Sequence, residues 1–251
     1  MMKRLAAFLL MIGMFPMSSL FAVAAPSIDA RYIIDAMDAA MEYDDAAIEA
    51  KMVNTDRLGS TSLTFDTFQN GSGDTLLVVT AGPDKGQKIL RLDDDIYLYY
   101  PDADEIVRLS GSSLKNSFLG SDFSYEDLTG DDDYDERYSY TLDGEEMLDG
   151  ISCYKMTFTA KKLSETYQVQ EMWIDSERFV PIHVRLSSKS GRSLKDILYS
   201  DYIHDGGIFF PGRLEVVNLV KKGSSSVMTV SSARFNVGLD DDLFSKEELA
   251  W

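Results

Sequence analysis

Residues 108–128 read RLSGSSLKNSFLGSDFSYEDL, and their reading decides how the rest of the chain is understood. Ser and Gly give the stretch the grammar of a loop, yet it carries Leu114, Phe118, Leu119 and Phe123. Four large apolar side chains in so short a span must cover something, either core or ligand. The second half has the signature of a helix start. Ser124 stands as N-cap with Asp127 three residues on, and Phe123 and Leu128 are placed as a hydrophobic staple. The segment is expected to be a flap that ends in an anchored helical turn, with Asp122, Ser124 and Asp127 fixing it through backbone hydrogen bonds.

On both sides of the flap the periodicity is two. Tyr154, Met156 and Phe158 alternate with Lys155, Thr157 and Thr159, and Leu63 and Phe65 alternate with Thr64 and Asp66. From Ile48, Ala50 and Met52 onward, further strands are expected at 74–81, 86–92, 95–100, 136–142, 168–175, 180–187, 193–203, 208–220 and 226–236. Turn dipeptides such as Asn70-Gly71, Asp143-Gly144 and Asp149-Gly150 punctuate them, so successive strands should lie antiparallel. Two strands, 75–80 and 96–100, are apolar on both faces. Such strands are buried on both sides or line an enclosed space. A meander this long cannot stay flat. The expectation is a mainly β (α+β) fold, a strongly curved antiparallel sheet with helical pieces covering its inner face.

Those helical pieces sit near the ends and in the flap. Ser27 can cap a helix to about Tyr43, with Ile33, Ile34, Met37 and Met41 on one face. Near the C-terminus, Ser245 and Glu248 form a capping box and Phe244 and Leu249 a staple, so Leu249, with Trp251, should pack on the sheet.

The first 24 residues are expected to be a secretory signal peptide. Lys3 and Arg4 precede an apolar run, and Ala22-Val23-Ala24 is a cleavage site. The remaining 25–251 are expected to be one domain, exported and soluble, with no permanent membrane anchor. The single Cys153 excludes an internal disulfide and reads as a buried, inert thiol. A formal charge of −18, about −20 once Lys3 and Arg4 are removed, argues against nucleic-acid binding and against lasting attachment to an anionic membrane.

Catalytic patterns are missing. There is no G-x-S-x-G, HExxH or CxxC, and His183 and His204 stand without partners in sequence, so no enzyme activity, cofactor or metal is expected. The acid run Asp131-Asp132-Asp133-Tyr134-Asp135-Glu136 fails the EF-hand pattern, which would need Gly at 136 and Glu at 142. The aromatic set Tyr97, Tyr99 and Trp173, with the flap residues, would furnish a wide apolar wall suited to alkyl chains.

The block Gly120-Ser121-Asp122-Phe123-Ser124-Tyr125-Glu126-Asp127 follows Tyr97–Pro101 and Arg108. Downstream come Trp173-Ile174-Asp175 with Pro181, Phe210-Pro211, and Phe244-Ser245 with Leu249. In this order the pieces resemble the LolA-like family of outer-membrane lipoprotein-sorting proteins. The resemblance implies an incomplete β-barrel with a helical lid over a hydrophobic cavity. It also implies a periplasmic carrier of acyl-chain cargo, lipoprotein or lipid, with an inner-membrane exporter as donor and an outer-membrane acceptor. The alternative is an adaptor of a resistance-nodulation-division type exporter that carries no cargo.

Overall fold

The computed structural model describes residues 28–92, 95–128 and 134–249, apart from the side chains of Glu126 and Leu128. The expected signal peptide, Ser27, Asp131–Asp133 and Trp251 lie outside the described residues, as does the Leu128 half of the flap staple.

Helix α1 (Ala30–Met41) is capped by Asp29, whose Oδ1 accepts from the Tyr32 N–H at 2.9 Å. Its expected stripe is present: Ile33, Ile34 and Met37 are buried and Met41 is half-buried. The strands that follow are β1 (Asp45–Asp56), β2 (Gly59–Asn70), β3 (Thr75–Ala81), β4 (Lys88–Leu92), β5 (Asp95–Tyr100) and β6 (Glu105–Leu109). After the flap and two single-turn helices, α2 (Tyr125–Leu128) and α3 (Tyr134–Arg137), come β7 (Tyr138–Leu148), β8 (Ile151–Ala160), β9 (Val169–Asp175), β10 (Pro181–Ser187) and β11 (Ser193–Ser200). The small hairpin β12 (Ile203–Asp205) and β13 (Ile208–Phe210) precedes β14 (Arg213–Asn218) and β15 (Ser225–Phe235), and α4 (Lys246–Leu249) closes the described chain.

Thirteen of these strands form one antiparallel sheet in the order β6-β5-β4-β3-β2-β1-β15-β14-β11-β10-β9-β8-β7. Two meanders therefore run away from a shared centre, where β1 pairs with β15 from Ala46↔Phe235 to Thr55↔Ser225. Strands β6 and β7 are the free edges, so the sheet does not close into a barrel. The flap is the segment of chain that joins those two edges. Curvature shows in the core: Leu98 of β5, Met52 of β1 and Phe158 of β8 belong to one continuous apolar cluster with Ile33 of α1 and Phe123 of the flap. Residues from such distant strands meet only if the sheet wraps around them.

Alternation assigns the faces. On the concave side, Leu77, Ile89 and Leu98 stand opposite one another across β3, β4 and β5. On the convex side a second cluster joins Leu76, Leu90 and Tyr97 to Phe244 and Leu249 of the C-terminal segment. That second cluster explains the two-sided apolarity of 75–80 and 96–100: one face of these strands joins the concave cluster that takes in Phe118 and Phe123 of the flap, and the other is covered by the tail. Lys88 Nζ fixes the tail by donating to the Glu248 carbonyl at 2.8 Å. The long run 208–220 is divided by Pro211-Gly212. A Cβ at Gly212 would lie 2.1 Å from the Asp201 carbonyl oxygen, so only glycine fits there.

Candidate functional site

The flap folds on itself before it touches the sheet. The Phe118 N–H donates to the Phe123 carbonyl at 2.8 Å, and Tyr125 N–H to the Asn116 carbonyl at 3.2 Å. The expected helix start is present as a reciprocal pair. Asp127 N–H donates to Ser124 Oγ at 3.1 Å, and Ser124 N–H to Asp127 Oδ2 at 2.7 Å.

Two carboxylates then tie this folded unit to the far half of the sheet. Asp122 accepts from Asn218 Nδ2 at 2.9 Å and Ser224 Oγ at 2.7 Å, while its N–H donates to Ser226 Oγ at 2.8 Å. Asp127 accepts from Tyr167 Oη at 2.8 Å and pairs with Lys195 Nζ at 2.6 Å, both side chains being well buried. The anchoring goes beyond the backbone bonds expected of Asp122 and Asp127, because side chains of the β8–β9 loop, β11 and the β14–β15 hairpin supply most partners. No local sequence signal marks Asn218, Ser224 or Lys195, which lie 68 to 102 residues away.

Against these latches stand two unfavourable features. Leu119 adopts φ 45°, ψ 42°, a left-handed conformation that costs a non-glycine residue about 1–3 kcal/mol. Its carbonyl accepts from Asn54 Nδ2 at 3.3 Å, and the other end of that amide, Asn54 Oδ1, is buried with no hydrogen-bond partner. Such an orphaned acceptor costs about 1–3 kcal/mol. The flap is tied to the sheet by specific bonds over a strained base.

Beneath it lies a cavity of about 190 Å³ on the concave face. Phe65, Leu77 and Ile89 line one wall, Met228 and Val230 another, and Phe118 and Tyr125 of the flap form its cover. Tyr125 packs edge-on to Phe118 at 5.5 Å, and burial pushes its hydroxyl up to about 12, so it stays neutral. Polar side chains gather at the end nearest the 71–74 turn: Gln69, held by Tyr43 Oη at 2.8 Å, with Thr75 and Arg91. Arg91 Nη1 donates to the Gly73 carbonyl at 3.4 Å.

The expected wall residues divide between the two faces of the sheet. Phe118 lines the cavity, Phe123 is buried in the concave cluster, and Leu114 and Leu119 pack half-buried against it. Tyr97, Tyr99 and Trp173 do not: they occupy alternate positions of strands whose neighbours Ile96, Leu98, Met172 and Ile174 point inward. Tyr97 and Tyr99 support the C-terminal tail, with Lys246 Nζ 4.2 Å from the Tyr97 ring centroid. Trp173 stacks on His183 at 4.7 Å and beneath Lys155 Nζ at 4.8 Å. His183 Nε2 in turn meets Asp196 Oδ1 at 2.9 Å, a carboxylate that Arg185 Nε also reaches at 2.8 Å. Of the expected wall residues only Phe118 lines the cavity; Phe65, Leu77, Ile89, Met228 and Val230 read in sequence as ordinary strand positions, and Thr67, Gln69 and Arg91 gave no signal of their own. Cys153 is buried away from solvent, which pushes its thiol up and keeps it protonated. Among the described residues, no helix is long and apolar enough to cross a membrane.

A family model described as an uncharacterized protein matches residues 71–251. No curated protein matches. Among solved structures, a DUF1329 family protein from Desulfovibrio piger is 30% identical, with a TM-score of 0.80 over 86% of this chain and 96% of that one. An outer membrane lipoprotein-sorting protein domain from Vibrio parahaemolyticus is 21% identical, with a TM-score of 0.77 over 87% of this chain and 97% of its own. A LolA superfamily protein from Nitrosomonas europaea is 22% identical, with a TM-score of 0.72 over 88% and 100%. The last two share the fold, and the first shares enough sequence to establish kinship. On this footing the chain belongs to the DUF1329 family and carries the LolA-like fold.

Proposed function

We propose that the protein is a non-catalytic periplasmic carrier that shields the acyl chains of lipoproteins or lipids during transfer from the inner toward the outer membrane. The observation that carries this reading is the apolar cavity under a latched, strained flap on the concave face. Apolar walls with a polar end suit an alkyl chain that is buried while its head group stays near Gln69, Thr75 and Arg91. Kinship with sorting proteins points the same way.

At about 190 Å³ the cavity is smaller than the roughly 300–1,000 Å³ of ordinary ligand sites. It is therefore the closed state, and a full acyl chain enters when the flap and α1 move aside. Each buried CH₂ contributes about 0.8 kcal/mol toward that opening. The donor would be an inner-membrane exporter and the acceptor an outer-membrane component.

Organic extraction and mass spectrometry of protein purified without detergent test the proposal. Stoichiometric acyl-chain lipid, or saturable uptake of a fluorescent fatty-acyl probe, is the expected result. Protein that is free of lipid and also refuses the probe overturns it.

A further inference from the structure

The strand directions sort the turns between two ends of the sheet, and the charge sorts with them. At one end, four turns are consecutive in sheet order. The β1–β2 turn holds Arg57 and Leu58; the β14–β15 turn holds Leu219, Val220, Lys221 and Lys222. Next come Lys189 and Arg192 between β10 and β11, then Lys161, Lys162 and Leu163 between β8 and β9. The first two turns are joined directly, because Arg57 Nε donates to the Lys222 carbonyl at 3.2 Å.

On these four turns Glu165 and, at their edge, Asp56 are occupied. Asp135 and Glu136 of α3 adjoin the β8–β9 loop, where Lys161 Nζ donates to the Asp135 carbonyl and the Asp135 carboxylate is paired with Arg31. Glu165 is paired with Arg137 at 2.6 Å, and Asp56 lies 3.9 Å from Lys221 Nζ while accepting from the Leu58 N–H. Asp84, Asp102 and Asp104 stand at the same end but on the turns between β3 and β6, beyond the basic sector. The opposite end is acidic, with Asp74, Asp149, Glu177, Asp201 and Asp205 on its turns.

The basic sector also exposes large apolar side chains at its tips. Leu58 is 96% exposed, Leu163 76% and Val220 50%. A turn in a chain of net charge −18 that combines cations with bare leucines has no use for them in folding. The two ends are about 40 Å apart along β1, at roughly 3.3 Å per residue. Salt screens charge over about 8 Å, so an approaching surface meets the local sign and not the net charge. Cations that ring protruding apolar side chains are complementary to anionic head groups above an acyl layer.

We propose that this rim is the surface by which the protein docks on an anionic phospholipid bilayer. The flap latches sit on the same loops. Asp122 is bound by Asn218 and Ser224, which bracket the Leu219–Gly223 turn, and Asp127 by Tyr167 at the end of the β8–β9 loop. Docking therefore brings the bilayer to the elements that hold the cavity closed. The inference does not depend on cargo: the rim can bind vesicles whether or not the cavity takes an acyl chain.

Co-sedimentation of purified protein with vesicles of phosphatidylcholine, with and without 30% phosphatidylglycerol, reads the proposal. Wild type should bind the anionic vesicles, lose them as salt rises, and leave the neutral ones in suspension. The double variant Lys221→Glu, Lys222→Glu should bind at least about 25-fold more weakly, near fivefold per lost cation. Leu58→Ser with Leu163→Ser should weaken binding with little change in salt dependence. Lys substitutions at Asp149 and Asp205, at the other end, should leave binding within about twofold. Ala50→Leu, which fills the cavity, should bind vesicles as wild type does, so the carrier reading and this one fail separately. Equal binding to neutral and anionic vesicles, no binding to either, or rim variants that bind like wild type would each overturn the proposal. Failure to bind vesicles, joined to loss of function of the rim variants in cells, would assign the rim to a protein partner instead.

Discussion

The concave and convex faces of β3–β5 are equally apolar, and they are covered in opposite ways. On the convex side the chain's own tail closes over Leu76, Leu90 and Tyr97 with Phe244 and Leu249, as part of one tight cluster. On the concave side the flap closes over Leu77, Ile89 and their neighbours with Phe118 and Tyr125 and leaves about 190 Å³ open. Protein interiors ordinarily pack to crystal-like density, and atoms that line a void forfeit dispersion contacts. The difference teaches that the tail packs as a filled cover while the flap leaves a void, and under the proposed carrier role an acyl chain supplies the missing contacts.

The largest expected effect removes the structural cover. Leu249→Ala deletes a fully buried side chain and should destabilise by about 2–5 kcal/mol. At roughly 2–4 °C per kcal/mol for a chain of this size, thermal unfolding should shift by about 4 to 20 °C. Phe118→Ala should cost distinctly less despite removing more atoms, because Phe118 already faces the cavity on one side. Thermal denaturation followed by circular dichroism compares the two. Equal losses would mean that the concave side is as well filled as the convex, and the contrast would collapse.

Small-to-large substitutions should then differ in sign. Ala50 lines the cavity, so Ala50→Leu should stabilise by about 0.5–2 kcal/mol while reducing uptake of an acyl probe. Leu90→Phe on the convex side has no space to enter and should destabilise by about 1–3 kcal/mol. Paired melting and probe-binding curves decide it. Stabilisation by both, or neither, would deny the cavity.

Much of this contrast was legible in sequence, but only one strand at a time. Residues 95–100 were read as a strand with the bounds observed, and the Ser124/Asp127 and Ser245/Glu248 pairs located two short helices, because capping and alternation are local rules. The expected strand 208–220 was cut by a backbone contact between Gly212 and Asp201, and β6 was missed because its EIVRL is exposed for four of five residues. The misassigned wall has the same origin. Tyr97, Tyr99 and Trp173 were grouped with the flap by chemistry, whereas a one-residue offset puts them on the other face. Their actual covers, the tail for the tyrosines and His183 and Lys155 for Trp173, are set by pairings that no local pattern reports. Net charge is equally silent on placement, since a single sum cannot show that cations collect on one rim.

The smallest expected effect separates the faces by pH. Away from the tail, the convex face of β8–β11 is held by charges: burial alone would raise Asp196, but hydrogen bonds from Arg185 and His183 outweigh it and hold the carboxyl below the usual range. Asp175 is lowered in the same way, burial being outweighed by the N–H groups of Arg178 and Glu177 and by the Arg178 guanidinium. A carboxylate depressed in the folded state stabilises above its unfolded pKa of about 3.9 and loses that contribution as pH falls through its folded value. Asp196→Asn should therefore melt below wild type at pH 7, and the gap should narrow progressively as pH falls below about 3.9. No carboxylate lines the concave cavity, so the gain from Ala50→Leu should be the same at both pH values. A melting series at pH 7 and pH 3 for wild type and the two variants measures both at once. If the Ala50→Leu gain also faded in acid, filling the cavity would be coupled to charged groups beyond its lining, and the contrast between the two faces would fail.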